Sequence, residues 1–181
     1  MAFAYLKEII EAAEKENKPF WQIVIEDDMR ERNVSYEQSF ETMRGMYQAM
    51  KEADAAYDPK LRSASGMVGG DGEKLEEFHK KKNRLIGDFL TEVMEKAVKM
   101  GESNACMKRI VAAPTAGSCG VIPAVLLTYE KQKNVSEDKL VEALFVAAGI
   151  GEVIAASASI AGADRLCQCH GSRSSGISGR R

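Results

Sequence analysis

Apolar side chains recur at three- and four-residue spacing through most of this chain, and no two-residue alternation runs beyond a few positions. The first pattern lays one stripe along an α-helix, whereas the second would line one face of a strand. Phe3, Leu6, Ile9, Ile10 and Ala13 form such a stripe, which ends near Asn17-Lys18-Pro19. A second segment, residues 20–32, sets Trp21, Val24, Ile25 and Met29 among acids and arginines. A third runs from about Ser35 to Tyr57 through Phe40, Met43, Met46, Tyr47 and Met50, and Asp58-Pro59 stops it. Residues 73–100 carry the pattern over a length that predicts a bent or broken helix, with Asp71 as its cap. An apolar segment over 121–131 follows, then a last helix opened by Ser136, a good N-cap, and reaching about Ala156. Residues 110–113 read as a short extended piece. The fold class predicted is all-α.

A chain of 181 residues is one domain of ordinary size, long enough to bury a core. Its 25 basic and 27 acidic side chains leave a formal charge of −2, too little field to draw it onto nucleic acid or an anionic membrane. Lys7 and Glu8 interrupt the N-terminal apolar run, which a secretory leader would not tolerate. The uncharged run Ile110 to Tyr129 is broken by Pro114, Gly117, Gly120 and Pro123, so no membrane span is expected. Four cysteines, Cys106, Cys119, Cys167 and Cys169, without an export signal point to a reducing compartment, hence the cytoplasm.

From Arg165 to Arg181 the composition changes: four arginines, four serines, three glycines and no acid. This segment carries +4 and leaves −6 on residues 1–164. It buries too little apolar area to offset its ordering entropy, so the reading divides the chain into a helical domain, 1–164, and a basic, disordered tail, 165–181.

Two glycine-serine loops stand out. Ala113-Pro-Thr-Ala-Gly-Ser-Cys-Gly-Val-Ile-Pro123 runs straight into an apolar helix, with Pro123 placed in the first turn. The N–H groups from Gly117 to Val121 would then lack helical partners, and Thr115 and Ser118 add hydroxyls, a niche suited to a carboxylate. No Gly-Lys-Ser/Thr ending follows, which excludes a P-loop. The second loop spans Ser63 to Gly72, and either loop serves equally as a plain connection. The cysteines form no C-x2-C pairs, so neither a zinc ribbon nor a ferredoxin-type cluster is encoded locally. Cys167-Gln-Cys-His170 has the composition of a metal-ligand cluster but sits in the tail. Cys106 reads as a small buried hydrophobe. His79, among Glu76, Glu77 and three lysines, reads as a residue of a solvated face.

Three stretches go further. Residues 110–125, then Ala147-Ala-Gly-Ile-Gly-Glu-Val-Ile-Ala155 and Ala158-Ser-Ile-Ala-Gly-Ala163, closely resemble the α chain of the bacterial iron–sulfur-dependent L-serine dehydratase, an L-serine ammonia-lyase. The likeness extends more loosely to Ser63-Ala-Ser-Gly-Met-Val-Gly-Gly70 and the N-terminal helices. It implies a helical catalytic domain, a [4Fe–4S] cluster without pyridoxal phosphate, a β chain as partner, and conversion of L-serine to pyruvate and ammonia. In that family three cysteines hold three irons, and the fourth iron takes the substrate hydroxyl as a Lewis acid. The resemblance assigns the substrate cradle to Ser63, Ser65, Gly66, Gly69 and Gly70 with Thr115, Ala116, Gly117 and Ser118. It places Cys167 in the register of the first cluster ligand, whereas Cys119 falls where the single-chain branch has Thr-Asn-Gly-Ala-Ala-Gly and is read as structural.

Beyond Arg165 the likeness collapses and the other two ligand cysteines of the family have no counterpart. A shifted reading frame would produce such a switch, and the expectation is a truncated α chain. The competing reading is therefore a catalytically inactive fragment that retains at most β-chain binding. A pyridoxal-phosphate deaminase would need an α/β strand pattern that this sequence lacks.

Overall fold

Seven α-helices connect through short loops and one 3-10 turn, and no strand occurs among the described residues. The computed structural model describes residues 3, 5–81, 85–113 and 115–157. The helices are α1 (Leu6–Glu16), α2 (Phe20–Arg32), α3 (Tyr36–Ala55), α4 (Asp71–His79), α5 (Asp88–Ala105), α6 (Val121–Lys133) and α7 (Glu137–Ser157). The 3-10 turn is Ala116–Ser118.

Three of these helices end on an asparagine, Asn17, Asn33 and Asn134, each in the left-handed region at φ 51 to 53°. Asparagine tolerates that conformation, and there the chain turns away while the N–H groups of Asn17 and Asn33 satisfy carbonyls of the preceding turn. At the opposite end Ser35 starts α3 with a capping box: its Oγ accepts the Gln38 N–H at 3.2 Å, and its own N–H donates to Gln38 Oε1 at 2.9 Å.

α3 is the common wall of the core. Its Phe40 joins Ile9, Ile23, Val24, Ile25, Val141 and Phe145 in a first cluster. Tyr47 and Met50 join Leu127, Leu140 and Leu144 in a second, and Ala53 meets Met100 and Cys119 in a third. α7 serves the first two clusters from adjacent faces, Val141 and Phe145 on one side, Leu140 and Leu144 on the other. Burying such side chains stabilises the fold by about 1.5 to 3 kcal/mol each. Gly149 lets α2 approach α7 closely: a Cβ there would stand 2.6 Å from Val24 Cγ2 of α2.

The long pattern over residues 73–100 is two helices, α4 and α5, interrupted between His79 and Asp88. Asp71 is not the cap of α4. Gly70 takes that position in the left-handed region, and Asp71 is the first helical residue, its carboxylate held by Lys74 at 2.8 Å. Residues 110–113 lie outside any strand, so the expected extended piece forms no ladder. Among the described residues no helix is long and apolar enough to cross a membrane. The tail at 165–181, with Cys167, Cys169 and His170, lies outside the described residues.

Candidate functional site

α5 carries three buried acids, one tied to α6 and two to opposite ends of α4. Glu92 accepts from Lys131 at 2.8 Å and Gln132 at 3.0 Å of α6. Glu95 accepts from Lys99 at 2.6 Å and lies 2.8 Å from His79 Nδ1 of α4. Glu102 accepts the Tyr57 hydroxyl at 2.6 Å and the N–H groups of Asp71 at 2.6 Å and Gly72 at 3.2 Å. A buried carboxylate is costly unless its lone pairs are used, and these are used. His79 is thus not the solvated-face residue expected from its charged neighbours; it is half-buried, because α4 turns that face toward Glu95.

The last turn of α5 holds both glycine-serine loops. Glu102 fastens the chain where the first loop enters α4. Two residues on, the Asn104 side-chain amide donates to the Ala116 carbonyl at 3.0 Å and so holds the second loop. The approaches to the two loops line one crevice of about 490 Å3. Asp58 and Leu61 come from the first approach, Ser103, Lys108 and Arg109 from the second, and Glu52 from α3, 2.9 Å from Arg109. Sequence reasoning missed Glu102, Asn104 and Tyr57. The only local signal was Gly101-Glu-Ser-Asn104, four residues that interrupt the apolar stripe of α5.

Within the first loop the Ser63 N–H donates to the Val68 carbonyl at 2.9 Å and the Val68 N–H to Ser63 Oγ at 3.1 Å, closing a tight turn. Ser63 and Ser65 hydroxyls lie 3.1 Å apart, and Gly66 donates back to the Ser63 carbonyl. Gly69 has φ +136°, and a Cβ there would stand 2.2 Å from the Leu61 carbonyl oxygen, so only glycine fits. Gly70 follows at φ +86° as the cap of α4.

The second loop is narrower than helix-start reasoning suggests. The Ser118 and Cys119 N–H groups are used inside the 3-10 turn, on Thr115 and Ala116 carbonyls at 3.1 and 3.3 Å. The N–H groups of Gly117, Gly120 and Val121 take no part in those bonds. Ser118 Oγ lies 3.1 Å from Thr115 Oγ1 and 3.2 Å from the Ala113 carbonyl. Pro123 is the third residue of α6, in the first turn as expected, where its missing N–H costs nothing. Gly120 packs so closely that a Cβ would stand 2.5 Å from the Ala97 carbonyl of α5.

The described cysteines do not fit an iron–sulfur cluster. Cys119 is buried against α5 with Sγ 3.9 Å from the Met100 carbonyl, and burial pushes its thiol up, away from the thiolate a metal needs. This agrees with its reading as structural. Cys106 is half-buried at the C-cap of α5, not fully buried as expected. No group of three His, Cys, Asp or Glu side chains among the described residues is placed to hold a metal. Cys167, the ligand assigned by resemblance, lies outside them.

A second, more apolar cavity of about 310 Å3 lies between α3 and α7, lined by Met43, Met46 and Met50 opposite Ala147, Gly151 and Ala155. Glu152 is its acid. Burial, reinforced by Asp27 and Glu31, pushes the Glu152 carboxyl above its ordinary value.

Comparison with known proteins resolves the family. The model of the serine dehydratase alpha chain matches residues 15–179. The chain belongs to that family. The match takes in both loops and also runs across residues 165–179. The chain is 31% identical over 175 residues to the probable L-serine dehydratase alpha chain of Bacillus subtilis, covering 97% of this chain and 58% of that one. It is 29% identical over 173 residues to the L-serine dehydratase alpha chain of Peptoniphilus asaccharolyticus, covering 90% and 56%. A shorter stretch of 73 residues is 45% identical to L-serine dehydratase 2 of Escherichia coli, 40% of this chain and 16% of that one. The chain therefore spans little more than half the length of the two alpha chains. No solved structure matches it.

Proposed function

We infer that this chain forms the serine-handling part of an L-serine ammonia-lyase acting in the cytoplasm, with a serine dehydratase β chain as partner. The observation that supports this best is the joint seating of two glycine-serine loops on one turn of α5, within a chain of the serine dehydratase family. Such loops offer backbone N–H groups and small hydroxyls, the donors that recognise a carboxylate. In this reading Ser63, Ser65, Gly66, Gly69 and Gly70 face one end of L-serine and Thr115, Ala116, Gly117 and Ser118 the other. Lys108, at the crevice, adds a cation of the right sign for the substrate carboxylate.

The reaction is an elimination followed by hydrolysis. A base takes the proton from Cα, hydroxide leaves Cβ, and the resulting aminoacrylate tautomerises and takes up water to give pyruvate and ammonia. In the iron–sulfur part of the reading Cys167 would be a ligand of the cluster, which would supply Lewis-acid chemistry when bound. The described residues contribute substrate binding and no cluster ligand. A second reading, a catalytically inactive portion that retains β-chain binding, is favoured by the described cysteines, which do not suit a cluster.

Anaerobic incubation of the full chain with iron, sulfide and a β chain, read by visible absorption and by pyruvate formed from L-serine, separates the two. Colour and pyruvate support the lyase. Serine binding and β-chain capture without pyruvate support the inactive portion, and failure to bind L-serine sinks the first reading.

A further inference from the structure

The described hydrogen bonds of the Glu102 and Asn104 side chains run to the two loops and to Tyr57. Glu102 is buried, 5% exposed, and its hydrogen-bond partners among the described residues are one phenol and two backbone N–H groups, while Lys74 interacts with it through charge. An acid placed thus fixes backbone position at short range, since each N–H must lie within hydrogen-bond reach of a carboxylate that packing already holds. Its neighbour Ser103 is also buried, so this turn of α5 cannot rotate without uncovering it. Asn104 then holds the Ala116 carbonyl from the same turn, a partner 12 residues further along the chain. The loop segments held by the two side chains are thereby set at a fixed offset of two residues on one rigid helix.

We propose that Glu102 and Asn104 are positioning residues that register the Ser63–Gly70 loop against the Thr115–Ser118 loop, so that a single amino acid engages both. The inference rests on the serine-binding reading above. Its physical content is that affinity comes from preorganisation: neither side chain touches the substrate, and losing either leaves both loops present but misaligned. Glu102→Gln keeps the shape but turns an amide against N–H donors. Asn104→Asp keeps the shape but replaces the donor with a charge that repels the Ala116 carbonyl.

The test is titration of the full chain with L-serine by calorimetry, with amide exchange of both loops followed by mass spectrometry and thermal unfolding as the control. In the parent chain L-serine is expected to slow exchange in both loops together. Asn104→Asp, at a half-exposed site that leaves the core intact, is expected to weaken serine binding on the order of tenfold with an unchanged melting temperature. It should also restrict the remaining protection to the Ser63–Gly70 loop. Asn104→Gln, which keeps the donor, should recover part of the affinity, a rescue that a merely structural role would not produce. Glu102→Gln is expected to abolish joint protection. Serine binding by Asn104→Asp as tight as that of the parent overturns the inference and leaves the functional reading standing. No serine binding by the parent chain overturns both.

Discussion

Tyr57, just past the end of α3, donates its hydroxyl to Glu102 Oε2 at 2.6 Å, while the other oxygen of that carboxylate accepts the Asp71 N–H at 2.6 Å. One acid thus joins the exit of α3 to the entry of α4 across a loop that has little core of its own. Tyr57→Phe removes one donor from a buried carboxylate and should lower stability by about 1.5 kcal/mol, the low end for a bond to a charged group. The phenol is also held above its ordinary value of 10.0, chiefly by burial and by Glu102. A group with a raised folded pKa contributes stability below its unfolded pKa and loses it as pH rises. Denaturant midpoints should therefore fall with pH above about 10 in the parent, and less steeply in Tyr57→Phe.

The acid limb has a different origin. Glu76 on α4 is bonded to Lys99 at 2.8 Å and Lys80 at 2.9 Å, and these lysines hold its carboxyl down at about 2, from an ordinary 4.5. With a depressed folded pKa, the stabilisation is present above 4.5 and is lost as pH falls toward 2. Glu76→Gln should flatten the fall in stability across that window. Because this side chain is 42% exposed, added salt should flatten it too. Urea unfolding at stepped pH, with and without salt, measures both.

The helices were legible because their apolar stripes depend on sequence-local spacing, which places Ile9, Phe40, Tyr47 and Phe145 inward whatever the neighbouring helix. The family was legible in the run from Ile110 to Val125. Glu102 was not, because nothing near it in sequence distinguishes an acid that will be buried from one on a wet face. Its partners Asp71 and Gly72 lie 31 and 30 residues earlier and reach it only when α4 folds back along α5. His79 misled for the same reason: charged sequence neighbours argued for solvent, while its spatial neighbour is Glu95. The hydroxyls of Thr115 and Ser118 were identifiable as donors, but their mutual contact at 3.1 Å is a property of the closed turn.

Glu152 gives a prediction of opposite sign. Its carboxyl is pushed up by burial beside the methionine-lined cavity, with Asp27 and Glu31 adding to the effect, so ionisation at neutral pH costs stability. Glu152→Gln should raise the melting temperature at pH 7. The gain should shrink as the pH is lowered through the carboxylate range, because the parent then becomes neutral at this position as well. A gain that is constant with pH would mean that packing, and not charge, is responsible.

Gly120→Ala tests the junction on which the second loop depends. Gly120 precedes α6 at φ −83°, an ordinary conformation, so strain in the backbone is not at issue. Space is: the new Cβ would stand 2.5 Å from the Ala97 carbonyl oxygen and 3.2 Å from its Cα, both backbone atoms of α5 that cannot rotate aside. The helices must separate, which withdraws buried Cys119 from its place against Met100. A cost of about 1 to 3 kcal/mol is expected from overpacking at a helix–helix contact. Cys119 provides the direct readout, since its thiol, 1% exposed in the parent, should react with a maleimide or disulfide reagent markedly faster in Gly120→Ala under native conditions. Unchanged reactivity together with parental stability would mean that the α5–α6 contact tolerates a methyl group there and that its closeness is not what seats the loop.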